Sequence, residues 1–108
     1  MLVETHEENG KLVVAVARDR LDASVAADFE NELLLQIENG HNVLVVDLEQ
    51  VEFIDSSGLG AIVSGLKKVG TGNLSICGVQ EDVMGVFKLT RLDRVFSIYA
   101  NAEEATLH

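Results

Sequence analysis

The stretch Phe53-Ile54-Asp55-Ser56-Ser57-Gly58-Leu59-Gly60-Ala61-Ile62-Val63 sets two hydroxyls and two glycines between an apolar run and an amphipathic one. The run before it, NVLVVDL from Asn42 to Leu48, is apolar on both faces, as a central parallel strand is. After it, Leu59, Ile62, Val63, Leu66 and Val69 recur at helical spacing until Gly70 and Gly72 end the pattern. A strand that feeds a helix through a polar turn is the repeating unit of an α/β fold. This spacing predicts a helix over Ser57 to Val69, with Asp55 to Gly60 at its mouth. That places the serines on the carboxyl edge of the sheet, where open α/β folds hold their sites.

On either side, the chain repeats the same alternation. Leu2 to Glu7 and Lys11 to Ala17 read as two strands joined by the turn Asn9-Gly10. From Ala23 to Glu38, Val25, Phe29, Leu33 and Ile37 recur every four residues; Asp22 stands in the capping position and Gly40 ends the helix. NLSIC (Asn73 to Cys77) is another strand, Glu81 to Leu89 a short helix, and Val95 to Tyr99 a last strand. Asn101 and Glu104 form a capping-box-like pair before a final helix. The expectation is one α/β domain over residues 1–108, a small mixed and mostly parallel sheet with right-handed crossovers, packed with about four helices.

Composition narrows the function classes. A chain of 108 residues that is 47% hydrophobic suits a single core. Lys+Arg 8 against Asp+Glu 18 gives a net charge of −10, which opposes binding to nucleic acid or to an anionic membrane, so partners are expected to be proteins. The opening MLVETHEENG has no signal-peptide pattern and no apolar run reaches spanning length, so the expected location is cytoplasmic. Cys77 is alone, and within LSICGV it reads as a packed strand residue.

Several catalytic readings of the serine stretch fail on spacing. A dinucleotide fingerprint needs a third glycine where Val63 stands, and a P-loop needs a lysine at the helix entrance, whereas Lys67 and Lys68 lie further along. A nucleophile elbow needs glycines two residues to either side of the serine, and neither Ser56 nor Ser57 has them. His6, His41 and His108 share no ligand spacing, and one cysteine builds no zinc cluster. Two readings of the residue types remain. Asp55 or Ser56 caps the helix while the glycines permit a tight turn. Alternatively, the hydroxyls stand at a helix mouth whose free N–H groups would accept an attached phosphate.

VVDLEQVEFIDSSGLGAIVSGLKKV, with RLDAS at Arg20 to Ser24 and VFKLTRLDRVFSIYANAEEA downstream, resembles the STAS domains of anti-sigma factor antagonists. The D-S-S-G-L-G motif carries most of the resemblance, supported by L-x-x-L-x-x-V-F at Leu89 to Phe96. The resemblance implies a non-enzymatic switch without cofactor or metal. Ser56 would be phosphorylated by an anti-sigma factor serine kinase and restored by a metal-dependent serine phosphatase. It further implies a partner-binding edge of Asp22, Asp55, Ser56, Ser57 and Gly58, with Leu21-Asp22 matching the family's leucine-aspartate pair. Asp19 departs from the family, which usually has glycine there. Such a domain is expected as a monomer or weak dimer. Two other readings stand beside it: a STAS interaction module of a transporter or stress-signalling assembly, and a receiver-like phosphoacceptor using Asp47 with magnesium. The receiver reading lacks its acidic pair at the first strand's end and a lysine closing Val95 to Tyr99.

Overall fold

The computed structural model describes residues 1–108. The chain opens with a hairpin in which β1 (Val3–Glu8) runs antiparallel to β2 (Lys11–Val16), turned by Asn9 and Gly10 at φ 52° and 81°. Left-handed geometry at both turn residues matches the twist of a two-residue hairpin, and asparagine followed by glycine adopts it at least cost. A two-residue strand β3 (Arg20–Leu21) then leads to α1 (Ala26–Glu38). β4 (Leu44–Asp47) and the short β5 (Phe53–Ile54) precede α2 (Ser56–Val69). β6 (Leu74–Cys77), α3 (Glu81–Leu89), a 3-10 turn at Leu92–Arg94, β7 (Ile98–Tyr99) and α4 (Ala102–Leu107) complete the chain.

The main sheet has the order β1-β2-β4-β6-β7, with every pair after the hairpin parallel. Side-chain alternation divides it into two faces. Leu12, Val14, Leu44, Val46, Leu74 and Ile76 join Phe29, Leu33, Ile62, Leu66, Val83 and Phe87 of α1, α2 and α3 in one apolar cluster. Val13, Val45 and Cys77 point the other way and meet Ala105 of α4. Gly65 lets α2 approach closely, since a Cβ there would stand 3.2 Å from both Leu33 Cδ1 and Leu74 Cδ1. β3 and β5 form a separate parallel pair, Arg20 opposite Phe53 and Leu21 opposite Ile54. This small ribbon ties the entrance of α1 to the mouth of α2, where the serines lie.

Mixed sheet, four helices and parallel centre agree with the expectation, and three details differ. Helix α1 begins at Ala26, not Ala23, because the amides of Val25 and Ala26 both donate to the Asp22 carbonyl and wind residues 22–25 into a turn. Its N-cap is Val25, and no side chain caps it, so the expected capping role of the Asp22 carboxylate on α1 is corrected. The last strand is confined to Ile98–Tyr99, since the 3-10 turn takes the amides of Val95 and Phe96 to the Leu92 carbonyl. Phe96 thereby turns inward and meets Phe87 edge-on, ring centres 6.2 Å apart. Finally, β3 and β5 are too short to show any periodicity in the sequence.

Candidate functional site

Asp55 organises the mouth of α2. Its backbone is extended, φ −116° and ψ −175°, and its Oδ1 accepts the Gly58 N–H at 3.0 Å. Its Oδ2 accepts the Ala23 N–H at 3.2 Å, a bond that crosses to the α1 entrance, and its carbonyl accepts the Leu59 N–H at 3.0 Å. Of the orphan amides that every helix start leaves, that of Gly58 is taken by this carboxylate and that of Asp55 by the Leu21 carbonyl at 3.4 Å, while the Leu59 bond is the first of the helix itself. The amides of Ser56 and Ser57 have no partner within the chain, and both residues are exposed. The helix therefore presents free N–H donors and two hydroxyls to solvent at its positive end.

Gly58 is fixed here by space. A Cβ on it would fall 2.2 Å from the Leu21 carbonyl oxygen and 3.0 Å from Ile54 Cγ1, so no other residue lets α2 rest against the β3–β5 ribbon. The D-S-S-G spacing thus reads, in the fold, as cap, two displayed hydroxyls and a contact point.

Asp22 stands beside this edge at the exit of β3. Its Oδ1 accepts the Ser24 hydroxyl at 2.5 Å and the Ser24 N–H at 3.0 Å, and its Oδ2 accepts the Arg20 Nε–H at 3.1 Å. The Ser24 hydroxyl first, then Arg20, hold its carboxyl below the ordinary carboxylate value. Arg20 also lies over the Phe53 ring, 4.1 Å from its centre, and Phe53 is 41% exposed. The edge is therefore a ribbon bearing one guanidinium, one open aromatic ring, two carboxylates and two hydroxyls. Arg20 and Phe53 were not singled out by the sequence; only the parallel pairing of residues 33 apart brings them together.

Asp55, Ser56, Ser57 and Gly58 thus sit together with Asp22, linked through the bond from Ala23 to Asp55. Asp19 does not hold a left-handed φ; its carbonyl accepts the N–H groups of Glu52 at 2.7 Å and Phe53 at 3.2 Å, so aspartate in place of glycine leaves the ribbon intact. Asp47, which closes β4 on the same edge, takes no part in these contacts: its Oδ1 accepts the Glu49 N–H at 3.0 Å and lies against Gly78. No group of three or more histidine, cysteine, aspartate or glutamate residues is placed to hold a metal ion. Burial, then the carboxylate of Asp47, pushes the Cys77 thiol from an ordinary 9.0 to about 12, so it is an uncharged core group at neutral pH. No helix is long and apolar enough to cross a membrane.

The family model of the STAS domain matches residues 2–105. A protein of Thermotoga maritima named as an anti-sigma factor antagonist is 38% identical over 71 residues, which cover 64% of this chain and 63% of the relative's own length. BtrV of Bordetella bronchiseptica, named likewise, is 27% identical over 96 residues, 87% of this chain and 82% of BtrV. A crystal structure of an anti-sigma factor antagonist from Thermotoga maritima superposes with a TM-score of 0.85 at 28% identity, covering 97% of this chain and 92% of that one. The antagonist SpoIIAA in its unphosphorylated form shares the fold, with a TM-score of 0.79 at 20% identity over 95% of this chain and 91% of its own. A family match over nearly the whole length, together with this strand order, means that the chain belongs to the STAS domain family.

Proposed function

We propose that this STAS domain is an anti-sigma factor antagonist switched by phosphorylation of Ser56. In the unmodified state the serine edge docks on an anti-sigma factor serine kinase and releases a sigma factor; the phosphorylated edge does not dock, and a metal-dependent serine phosphatase restores it. The observation that carries the reading is the display of Ser56 on the first turn of α2, exposed and beside free amides, on an edge pinned to the α1 entrance by Asp55. The names of its relatives in Thermotoga maritima and Bordetella bronchiseptica, anti-sigma factor antagonists, support an anti-sigma factor as the partner.

The physics of the switch is local. A phosphoryl group adds about 1.5 to 2 negative charges, a small increment on a chain of net charge −10. Across an interface, however, it stands where the partner meets a neutral hydroxyl, and an unpaired buried charge is costly. Within the domain two forces oppose one another. The free amides of Ser56 and Ser57 and the positive helix end favour the phosphate, while the carboxylates of Asp55 and Asp22 repel it. The fold is therefore retained and the edge alone is altered.

Incubation with an anti-sigma serine kinase and ATP, followed by mass mapping, is expected to place the phosphate on Ser56, and Ser56→Ala to abolish it. Label on Ser57 that survives Ser56→Ala would mean the acceptor is the second hydroxyl. Calorimetric titration of the kinase should give similar affinities for the unmodified and alanine forms and at least a tenfold loss for the phosphorylated form, roughly 1.4 kcal/mol per decade. Equal affinity for all three forms would leave Ser56 a solvent-facing helix residue and reject the switch.

A further inference from the structure

The chain's few cations are not spread evenly. Of 8 basic residues, Lys67, Lys68, Lys88, Arg91 and Arg94 lie where α2 and α3 end or just beyond. Because β4, β6 and β7 are parallel and each helix returns between them, both helices finish at the amino edge of the sheet, opposite the serines. The serine end carries Asp22, Asp47, Glu49, Glu52 and Asp55. The ends of α2 and α3 thus gather five of the cations on an edge that also carries Glu7 and Glu8, where β1 finishes.

Cations in a helix's last turn complement its dipole, which accounts for Lys67, Lys68 and Lys88. It does not account for Arg91 and Arg94, which follow the end of α3. Nor does it account for Leu89, 86% exposed between Lys88 and Arg91, or Val95, 50% exposed after Arg94. The ion pairs of the structure involve none of these three cations. Successive hydrogen bonds from Thr90 to Val86, Arg91 to Lys88 and Arg94 to Arg91 fold the segment into tight turns, and the Thr90 hydroxyl donates to the Val86 carbonyl at 2.8 Å. Arg91 is held at φ 62°, a conformation few non-glycine residues adopt. Five exposed side chains, three cationic and two apolar, therefore rise from one preformed corner, with the half-buried Asp93 its one carboxylate.

We propose that this corner, Lys88 to Val95, docks an acidic amphipathic segment of a second protein, its apolar anchor on Leu89 and Val95 and its carboxylates on Lys88, Arg91 and Arg94. Arginine is enriched at protein interfaces, and unpaired guanidinium groups around an open leucine offer an acidic amphipathic segment ionic and apolar contacts together. Phosphate surfaces fit less well. Nucleic acid offers nothing to the leucine, and anionic lipid is recognised by clusters of about four to eight cations, more than this corner presents on a chain of net charge −10. Lying opposite the serine edge, the corner leaves that edge free, so one domain holds two partners at once.

The test is amide-resolved NMR titration of the labelled full chain with a short peptide that sets leucines on one helical face and glutamates along its flanks. The expected result is saturable shifts centred on residues 88–95, weakened by salt, with the amides of Ser56 to Gly58 unmoved. Lys88→Glu combined with Arg94→Glu should weaken binding at least about tenfold and Leu89→Gln about as much, from the lost contacts of one apolar anchor. All three positions are exposed and spare the left-handed Arg91, so the fold is kept. Absent shifts, shifts centred on the serine edge, or equal binding of a peptide with lysines for glutamates would overturn the proposal. So would binding to phosphatidylserine vesicles or duplex DNA without binding to the peptide. Concentration-dependent line broadening without peptide, removed by the same variants, would assign the corner to a second copy of the chain and overturn it as well.

Discussion

Helices α1 and α2 both start at the carboxyl edge of the sheet, and they start differently. α2 opens on Asp55, whose two oxygens bind the Gly58 amide of its own helix and the Ala23 amide of the neighbouring segment. α1 opens on Val25 with no side-chain cap, its entry shaped by a turn around the Asp22 carbonyl. Of the pair, α2 holds its position by a side chain that serves both helices, whereas α1 is held from outside, by Asp55. The lesson is one of dependence: the α2 mouth is a support on which both the serines and the Asp22 turn rest.

The sharpest way to break this arrangement is Gly58→Ala. The added methyl group meets the Leu21 carbonyl at 2.2 Å, a backbone atom that cannot rotate away, so α2 must lift off the ribbon or β3 must shift. The expected cost is about 2 to 4 kcal/mol, in the range of overpacked core sites and above the usual mutational cost. Urea unfolding measures it. Gly60→Ala is the internal control, because a Cβ there meets nothing within 4 Å, and it should leave the midpoint unchanged or raise it through the better helix propensity of alanine. Equal losses at the two glycines would mean that flexibility, not contact, explains Gly58.

Next in size is Asp55→Ala, which removes the α2 cap together with the bond to Ala23. A lost cap costs about 1 kcal/mol, and the cross-link adds to it, so a loss of about 1 to 2 kcal/mol is expected. Hydrogen exchange should quicken at Gly58 and at Ala23 together. Asp55→Asn keeps one acceptor oxygen and should restore one amide's protection but not both. Protection lost at Gly58 alone would show that the α1 entrance does not rest on Asp55.

These residues also mark where the sequence was legible. The stripes Leu59, Ile62, Leu66 and Phe29, Leu33, and the runs KLVVAV and LVVD, gave helices and central strands because burial imposes a period on residues that pack along a whole element. The aspartate before the two serines was visible as a cap for the same local reason. What the pattern could not carry was pairing at a distance. Arg20 and Leu21 have too few residues for a period, and only their partners Phe53 and Ile54, far along the chain, make them a strand. The misplaced start of α1 follows: Asp22 has the right side chain for a cap, but its Oδ1 is occupied by Ser24 and its Oδ2 by Arg20, an ion pair that the ribbon sets up. The same ribbon creates the Arg20–Phe53 stack, which no local pattern of residues encodes.

Asp22→Ala is therefore expected to cost less than Asp55→Ala, since α1 never relied on that carboxylate, and to show its effect mainly at the turn. Its pH dependence has a definite sign. The folded carboxyl sits below 3.8, held by the Ser24 hydroxyl and Arg20, so its contribution is present above that ordinary value and is lost only as pH falls through the lower folded one. Amide shifts of Ser24 followed on acidification should move below pH 3.8 in the native chain; movement centred above it would show that the hydrogen bonds do not hold Asp22 in solution.

The smallest expected effect is that of Ser56→Asp on stability, and it tests whether the α2 mouth can accept charge. An acid in a helix's first turn is favoured by about 0.3 to 1 kcal/mol through the dipole and free amides. Ser56 and Ser57 supply those amides, and neither serine side chain bonds within the chain, so nothing is broken. Against this stands Asp55, the neighbouring residue, whose carboxylate already occupies the Gly58 and Ala23 amides and cannot turn away without releasing them. Repulsion between exposed like charges is of similar size and weakens with salt, so the two effects nearly cancel and the unfolding free energy should change by less than about 0.5 kcal/mol in either direction. Salt tests the balance: because the dipole term and the repulsion are both screened, the small difference should shrink toward zero as salt rises. A loss near that of Asp55→Ala, with faster exchange at Ala23, would mean that charge at position 56 expels the Asp55 cap. Modification would then loosen the α1 entrance as well as alter the serine edge.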